Sequence, residues 1–172
     1  MSDICKCFAP VENAGCTILI LGSMPGERSL ELQQYYGHKN NRFWRLMAEI
    51  FNNGEMIDDY EKRKALLLRS NVALWDVLAF CRREGSLDSA IRDEEYNDLA
   101  GFIACHPKIK RICCNGGKAY AALKKYCRTN SINGVEILAM PSTSPANARC
   151  NFEKLKIFGH LPFLIDLKFK KI

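Results

Sequence analysis

The sequence lacks several features that would assign a class directly. No apolar run approaches the ~20 residues that a membrane span needs. The first ten residues hold no basic segment followed by an apolar stretch, so we expect no signal peptide. No linker, repeat or low-complexity segment divides the 172 residues. These absences favour a single domain over residues 1–172, located in the cytoplasm, with no membrane partner.

Positively charged residues only slightly outnumber negatively charged ones, and the sequence contains no phosphate-binding motif. The 25 Lys and Arg residues against 19 Asp and Glu give a net charge of +6, which is compatible with nucleic acid but does not require it. Segment 22–29 has neither the closing Lys-Ser or Lys-Thr pair of a P-loop nor GxGxxG spacing. Gly116-Gly117-Lys118 is too short to cradle phosphates. A nucleotide hydrolase is therefore disfavoured.

Cysteine is abundant, but its spacing matches no metal or cluster pattern. The chain has nine cysteines, an odd number that fits poorly with a disulfide framework in the cytoplasm. Cys5, Cys7 and Cys16 form the one group that resembles a metal site, and they lack CxxC spacing and a nearby fourth ligand. We expect unliganded thiols, no metal and no cofactor.

Strand and helix patterns alternate along the chain. Short β-branched runs predict strands, and apolar residues at helical spacing predict helices, with Asn41 as a helix N-cap and a loop over 23–40. The predicted strands are 17–21, 72–75, 109–114 and 135–140, and the predicted helices are 42–51, 59–68, 94–104, 118–127 and 151–167. This order predicts an α/β fold, a three-layer sandwich around a central, mostly parallel sheet of about four strands.

Ligands of such sheets bind outside the carboxyl ends of the strands. The segment 35–44 lies at this edge and combines aromatic, amide and basic side chains, which can stack on a base and pair with its edge. Other interpretations remain open for single residues. Phe43 and Trp44 can belong to the core, Arg42 can be a surface cation, and Tyr36 and Asn41 can serve loop packing and helix capping.

The loop after the last predicted strand is rich in hydroxyls and prolines. Hydroxyl and amide groups can hold phosphates, and small apolar side chains can occupy the gap left by an extruded base. A strand-to-helix turn is the alternative interpretation. The candidate DNA-binding residues are Ser142, Thr143, Ser144, Pro145, Ala146 and Asn147.

Five segments in this order resemble the uracil-DNA glycosylase superfamily, and within it the hypoxanthine-DNA glycosylase branch. They are GSMPG at 22–26, YYGHKNNRFW at 35–44, LWDVLAFCRREGSLDSAI at 74–91, NGGKAY at 115–120 and PSTSPANA at 141–148. The resemblance implies an enzyme that flips a deaminated base, with hypoxanthine first, out of DNA and hydrolyses its N-glycosidic bond. We expect a monomer whose partner is DNA containing deaminated bases.

The resemblance also implies roles for individual residues. Mismatch-specific relatives carry a water-activating Asn where this chain has Met24, and the hypoxanthine branch uses an Asn just before Arg-Phe-Trp instead. By this resemblance Asn41 takes the catalytic role, with Asn40 as the alternative. His38, the second candidate catalytic residue, can protonate or hydrogen-bond the leaving purine, since the usual pKa of histidine suits that task. The expected substrate-binding residues are Gly22, Ser23, Met24, Pro25, Gly26, Tyr36, Asn40 and Asp76.

Two alternatives stay open, the second of them because of Met24. The first is a glycosylase directed at uracil or xanthine, since one sequence does not define pocket specificity. The second is a catalytically silent α/β module that binds nucleic acid. For His38 a loop hydrogen bond, and for Asp76 a turn cap, are the corresponding structural interpretations.

Overall fold

The computed structural model describes residues 3–158. In chain order the elements are β1 (Asp3–Lys6), β2 (Ile18–Gly22), α1 (Glu27–Leu32), α2 (Phe43–Phe51), α3 (Tyr60–Arg69), β3 (Val72–Asp76), β4 (Leu78–Arg83), β5 (Arg92–Tyr96), α4 (Leu99–Cys105), β6 (Arg111–Asn115), α5 (Gly117–Tyr126), β7 (Glu136–Met140) and α6 (Phe152–Phe158). Among these helices none is long and apolar enough to cross a membrane.

The centre of the fold is a parallel sheet of four strands in the order β3-β2-β6-β7. Successive side chains of a strand point to opposite faces, so Ile18 and Ile20 of β2 enter one core with α2 and α3. Leu19 and Leu21 enter the other core, with α4 and α5. Both faces of the sheet are therefore covered, and the expectation of a three-layer α/β sandwich is confirmed.

The strand order creates a crevice at the carboxyl edge of this sheet. From β2 the chain crosses to β3 on one side, whereas β6, on the other side of β2, leads on to β7. Loops that leave neighbouring strands in opposite directions open a cleft between them. The pairing of β2 with β3 also places Gly22 beside Asp76.

A second, antiparallel sheet in the order β1-β4-β5 was not predicted. The expected helix over 94–104 is wrong in its first half, because β5 occupies Arg92–Tyr96 and α4 begins at Leu99. The charged composition of β5 is unusual for a strand. Glu94 is held there by ion pairs with Lys118 and Lys125 of α5, which outweigh local preference.

Other predicted boundaries shift more modestly. The expected loop over 23–40 contains the short helix α1. The predicted closing helix over 151–167 begins at Phe152 and is described to Phe158, and its predicted remainder, 159–167, lies outside the described residues. Phe43 and Trp44 are buried at the start of α2, as core residues.

Arg42 is not the surface cation that its type suggests. It is half-buried immediately before α2, and its guanidinium group lies among backbone carbonyls of the loop after β7. The Nη2 atom donates to Ser144 at 2.8 Å and Nε donates to Thr143 at 3.3 Å. Further carbonyls that accept from the same group belong to Ser142, Asn147 and Cys150.

We predict that Arg42→Lys will destabilise the loop 142–150 selectively. A lysine ammonium has no planar fork and cannot reach several carbonyls at once. Since net hydrogen bonds to charged groups contribute about 1.5–3 kcal/mol each, the variant should lose at least about 2 kcal/mol of unfolding free energy in urea. Hydrogen exchange of this loop should accelerate more than that of β2. Arg45→Lys, whose guanidinium lies over the Phe152 ring, is the control on the same helix; unchanged exchange in Arg42→Lys would contradict the prediction.

Candidate active site

A cavity of about 160 Å³ opens at the carboxyl edge of the parallel sheet. Drug-sized ligands occupy pockets of ~300–1,000 Å³, so this cavity suits a smaller group such as one nucleobase. The expected site residues that line it are 22–26, Tyr36, His38, Asn41, Asp76 and 142–145. Asn40, Ala146 and Asn147 do not line it, although all three lie in the loops that border it.

The loop after β2 forms one wall. Ser23 is buried, and its hydroxyl donates to Oδ1 of Asp88 at 2.7 Å. The Met24 side chain is also buried and packs in the core cluster beneath the parallel sheet. Position 22 requires glycine, because a Cβ there would lie 2.4 Å from Oδ1 of Asp76. Any side chain at position 22 would therefore displace Asp76.

Two buried polar groups at the base of the cavity lack a hydrogen bond of normal geometry, although the Asn115 side chain lies near one of them, the Tyr36 hydroxyl. Oδ2 of Asp76 and the hydroxyl of Tyr36 make no hydrogen bond of normal geometry to the described residues. Both groups converge on Gly22, since its missing Cβ would also lie 3.3 Å from the Tyr36 hydroxyl. Buried polar atoms are rarely left unsatisfied. An unsatisfied pair that lines a cavity therefore marks the place where a ligand or water completes the hydrogen bonds.

Burial controls the protonation of both groups. The pKa of Asp76 is raised from 3.8 to about 8, mainly by burial and then by the nearby Asp88 carboxylate, while the Arg83 guanidinium opposes the rise. The pKa of the Tyr36 phenol is also raised, mainly by burial and then by the Asp76 charge. At neutral pH both groups consequently carry protons, and both can donate a hydrogen bond into the cavity.

Tyr36 is held in an unusual conformation. Its φ of +53° lies in the left-handed region of the backbone, which residues other than Gly, Asn and Asp seldom adopt. The ring stacks on Phe43 with centroids 4.0 Å apart. The Phe43 contact fixes the ring beside the cavity and supports a strained backbone there.

Asn41 faces the cavity with a defined orientation. Its Oδ1 accepts from the Phe43 backbone N–H at 3.0 Å, so the carboxamide tethers the first residue of α2 rather than occupying the N-cap position itself, which is Arg42. With Oδ1 engaged, the Nδ2 hydrogens are the end of the side chain that is available to another partner. His38 is exposed at the cavity rim, and its Nδ1 accepts from the Asn40 N–H at 3.2 Å.

The loop after β7 forms the opposite side of the pocket lining and is internally hydrogen-bonded. Asn115 exchanges two bonds with Thr143, at 2.9 Å and 3.0 Å. Oγ of Ser142 accepts from the Ser144 N–H, and Oγ of Ser144 accepts from the Ala146 N–H. These serines therefore stabilise the turn, while their hydroxyl hydrogens can still reach another acceptor.

Six residues that line the cavity were not predicted as site residues: Arg28, Ser29, Tyr35, Ser86, Asp88 and Asn115. Asn115 ends β6, at a position where a ligand-facing residue is expected, but its bonds to Thr143 carry no sequence signal. Asp88 lines the cavity from the 3-10 turn between β4 and β5. It brings a carboxyl group to the cavity, and it was missed because the antiparallel sheet that positions it was not predicted.

None of the nine cysteines, all of which the structure describes, lines the cavity. All nine cysteines lie within the described residues, and none is in a disulfide. Among residues 3–158, no group of three or more His, Cys, Asp or Glu is arranged to hold a metal ion. Cys113 and Cys114 are buried in β6, where burial raises the pKa of each thiol.

Comparison with known proteins gives consistent matches. Residues 9–160 match the family model of the uracil DNA glycosylase superfamily. A curated relative from Methanosarcina acetivorans, named hypoxanthine DNA glycosylase, is 42% identical over 146 residues, which are 83% of this chain and 87% of the relative. A second, of the same name from Methanosarcina barkeri, is 37% identical over 142 residues with the same coverage.

A solved structure is also similar. The solution NMR structure of a candidate uracil DNA glycosylase from Methanosarcina acetivorans superimposes with a TM-score of 0.80 at 37% identity. The match covers 96% of this chain and 99% of that one.

The raised pKa of Asp76 predicts a pH-dependent stability. Between the usual pKa of 3.8 and about 8, the folded protein holds a proton that the unfolded chain has released. The contribution of Asp76 to the free energy of unfolding therefore falls as pH rises through this window and levels off above it. Asp76→Asn, which is neutral at every pH, should remove this fall.

Urea unfolding of both proteins from about pH 5 to about pH 9 measures the effect. The variant should gain stability relative to the wild type as pH rises. The exposed Asp58→Asn is the control and should follow the wild-type curve. Parallel curves for wild type and Asp76→Asn would show that Asp76 ionises normally in the folded state.

Proposed function

The chain belongs to the uracil DNA glycosylase superfamily, and from that premise we propose that it releases hypoxanthine from DNA. The reaction is hydrolysis of the N-glycosidic bond, which leaves an abasic site. The substrate assignment is supported by the two curated relatives named hypoxanthine DNA glycosylase.

The observation that carries the proposal is the pair of unsatisfied buried groups in a cavity of nucleobase size. Deamination of adenine replaces a 6-amino donor with a 6-oxo acceptor. The protonated carboxyl of Asp76 and the hydroxyl of Tyr36 are donors, and they suit an oxo group better than an amino group. The 6-amino group of adenine would place a donor opposite one of these donors. An unpaired donor in a buried site costs binding free energy.

The chemistry requires charge to be stabilised on two fragments. Cleavage of an N-glycosidic bond builds positive, oxocarbenium character on the sugar and negative charge on the departing base. Asp76, neutral at physiological pH, can share its proton with that base, and backbone amides of 24–26 can add fixed dipoles. Asp88, hydrogen-bonded to Ser23, supplies a carboxylate that can hold water in place of the missing asparagine at Met24.

Asn41 and His38 complete the proposed catalytic group. Because Oδ1 of Asn41 is engaged by Phe43, the amide acts through its Nδ2 donors, on the base edge or on a water molecule. Because Nδ1 of His38 accepts a backbone hydrogen bond, neutral His38 carries its hydrogen on Nε2 and can donate a hydrogen bond from there to the leaving purine. Tyr36, whose ring packs against Phe43, acts on the extruded base through its hydroxyl.

The loop 142–147 is proposed to hold the DNA backbone. Hydroxyls of Ser142 and Ser144 can donate to phosphates, and the N–H groups of a turn suit anions. Thr143 is fully buried, so its hydroxyl ties the loop to Asn115 and does not reach the DNA. We further propose that the protein acts as a single-domain monomer in the cytoplasm, where its thiols remain reduced.

We predict that the purified protein releases hypoxanthine from DNA in the presence of a chelator. Duplexes that carry hypoxanthine, uracil or xanthine are incubated with excess enzyme, and abasic sites are then cleaved with alkali. Hypoxanthine should be released faster than uracil or xanthine, in keeping with the two curated relatives named hypoxanthine DNA glycosylase. The donor arrangement given above should leave undamaged adenine in place. Faster release of uracil or xanthine would correct the substrate, and no release from any duplex would instead favour a silent nucleic-acid-binding module.

We predict that Asn41→Ala and Asn41→Asp separate catalysis from capping. Asn41→Ala should slow base release on the order of 100-fold, as for other positioned dipoles. It should also lose ~1 kcal/mol of stability with the cap. Asn41→Asp keeps an acceptor for the Phe43 N–H but has no amide donors, so it should stay folded and lose a similar share of activity.

The matched control is Asn40→Ala, since Asn40 is adjacent but outside the cavity lining. Its rate should remain close to that of the wild type, with DNA affinity and thermal midpoint measured for all three variants. Full activity in folded Asn41→Asp would mean that the amide donors are not needed. A large loss in Asn40→Ala would move the catalytic role to that residue.

A further inference from the structure

The ends of neighbouring parallel strands lie side by side at the base of the cavity. Gly22, the last residue of β2, pairs with Asp76 of β3. On the other side, β6 runs beside β2 in a register that brings its last residue, Asn115, level with Gly22. The Tyr36 hydroxyl lies 3.3 Å from the point that a Cβ of Gly22 would occupy. The space left by this glycine therefore holds a phenol between a carboxyl group and a carboxamide.

The orientation of the Asn115 carboxamide is fixed by a backbone group. Its Oδ1 accepts from the Thr143 N–H at 3.0 Å, and a backbone N–H can only donate. The Nδ2 atom consequently forms the other end of the amide, and one of its hydrogens goes to Oγ1 of the fully buried Thr143 at 2.9 Å. An amide nitrogen carries a second hydrogen, which is left for another acceptor.

The Tyr36 hydroxyl is an acceptor within reach of this second hydrogen. Burial raises the pKa of the Tyr36 phenol, the Asp76 charge raises it further, and the nearby Asn115 amide opposes the rise. A donor has this effect because it stabilises the phenolate form. Within residues 3–158 the hydroxyl makes no hydrogen bond of normal geometry, so its own hydrogen is uncommitted.

A tyrosine hydroxyl alone does not distinguish an oxo group from an amino group, because it can donate to the first and accept from the second. We propose that Asn115 is a positioning residue for base selection: it directs an amide hydrogen to the Tyr36 oxygen and thereby leaves the hydroxyl as a donor towards the base. A 6-oxo group then finds a donor, whereas a 6-amino group meets one. This inference rests on the proposed function and names the residue behind its selectivity against adenine.

The test compares Asn115→Asp with wild type on duplexes that carry either hypoxanthine or unsubstituted purine, which has no 6-oxo group. The aspartate keeps an acceptor for the Thr143 N–H but replaces the amide hydrogens with a second acceptor, towards which the Tyr36 hydroxyl turns. The kcat/KM for hypoxanthine should fall at least about tenfold, the effect of one lost hydrogen bond. Release of purine should change far less, whereas loss of a merely structural contact would slow both bases alike.

Three further variants separate this role from effects on folding and charge. In a Tyr36→Phe background Asn115→Asp should cost much less than in the wild type, because no hydroxyl is left to direct. Asn115→Ala, which adds no charge, should lower the ratio of hypoxanthine release to purine release in the same direction. Asn130→Asp adds the same charge at an amide that donates to the Tyr126 carbonyl outside the cavity lining, and it should match wild type.

A measurement on the free protein does not depend on cleavage. In proton–nitrogen NMR spectra the Nδ2 hydrogens of Asn115 give separate resonances. Tyr36→Phe should shift the resonance of the hydrogen that faces the hydroxyl and leave that of the hydrogen bound to Thr143 in place. Equal losses for the two bases, additive effects in the double variant, or unchanged Nδ2 resonances would overturn the role of Asn115. Absence of base release by the wild type would contradict the proposed function instead, and the spectra would still decide whether Asn115 donates to Tyr36.

Discussion

The guanidinium group of Arg42 joins two walls of the cavity that are otherwise far apart in the chain. It stands at the start of α2, directly after Asn41, and donates to carbonyls in a loop about a hundred residues further on. The loop after β7 contains prolines and forms few regular backbone hydrogen bonds. The planar guanidinium group carries several donors, so it can satisfy carbonyl groups of this loop that are not paired in a helix or strand. Arg83 has a similar relation to the loop after β2, through the Pro25 carbonyl. Both loops that border the cavity are therefore positioned by arginines from outside them.

The base of the cavity has features that oppose folding. Asp76 is buried without a partner for Oδ2, the Tyr36 hydroxyl is in the same state, and Tyr36 has a left-handed backbone. Such features are tolerated where the surrounding structure is firmly packed, and they concentrate at functional sites. Here the firm packing is the parallel sheet, in which Ile18 to Leu21 are fully buried between two cores. The stability of the layers permits a polar, unsatisfied site at their edge.

Periodicity in the sequence predicted the parallel sheet well, because strands buried on both faces are continuous apolar runs. It predicted the cavity edge for the same reason, since strand ends define it. Periodicity did not predict β5, where Glu94 lies in a strand because it forms ion pairs with lysines of α5. The turn before β5 carries Asp88, so this cavity residue was missed as well. Periodicity also failed for Arg42, whose carbonyl partners are distant in sequence. Contacts between distant loops leave no local pattern, and these contacts decide the geometry of the site.

The antiparallel hairpin of β4 and β5 meets the parallel sheet at its two ends, near Val77 and Asn97, which are themselves joined by a backbone hydrogen bond. Between these ends the turn passes through Gly85, where an added side chain would meet open space. Its φ of +71° nevertheless strains any side chain at this position. In evolutionary terms, the hairpin is coupled to the pocket, because its turn carries Ser86 and Asp88, which line the cavity. A change in the length of the hairpin would therefore change the pocket as well.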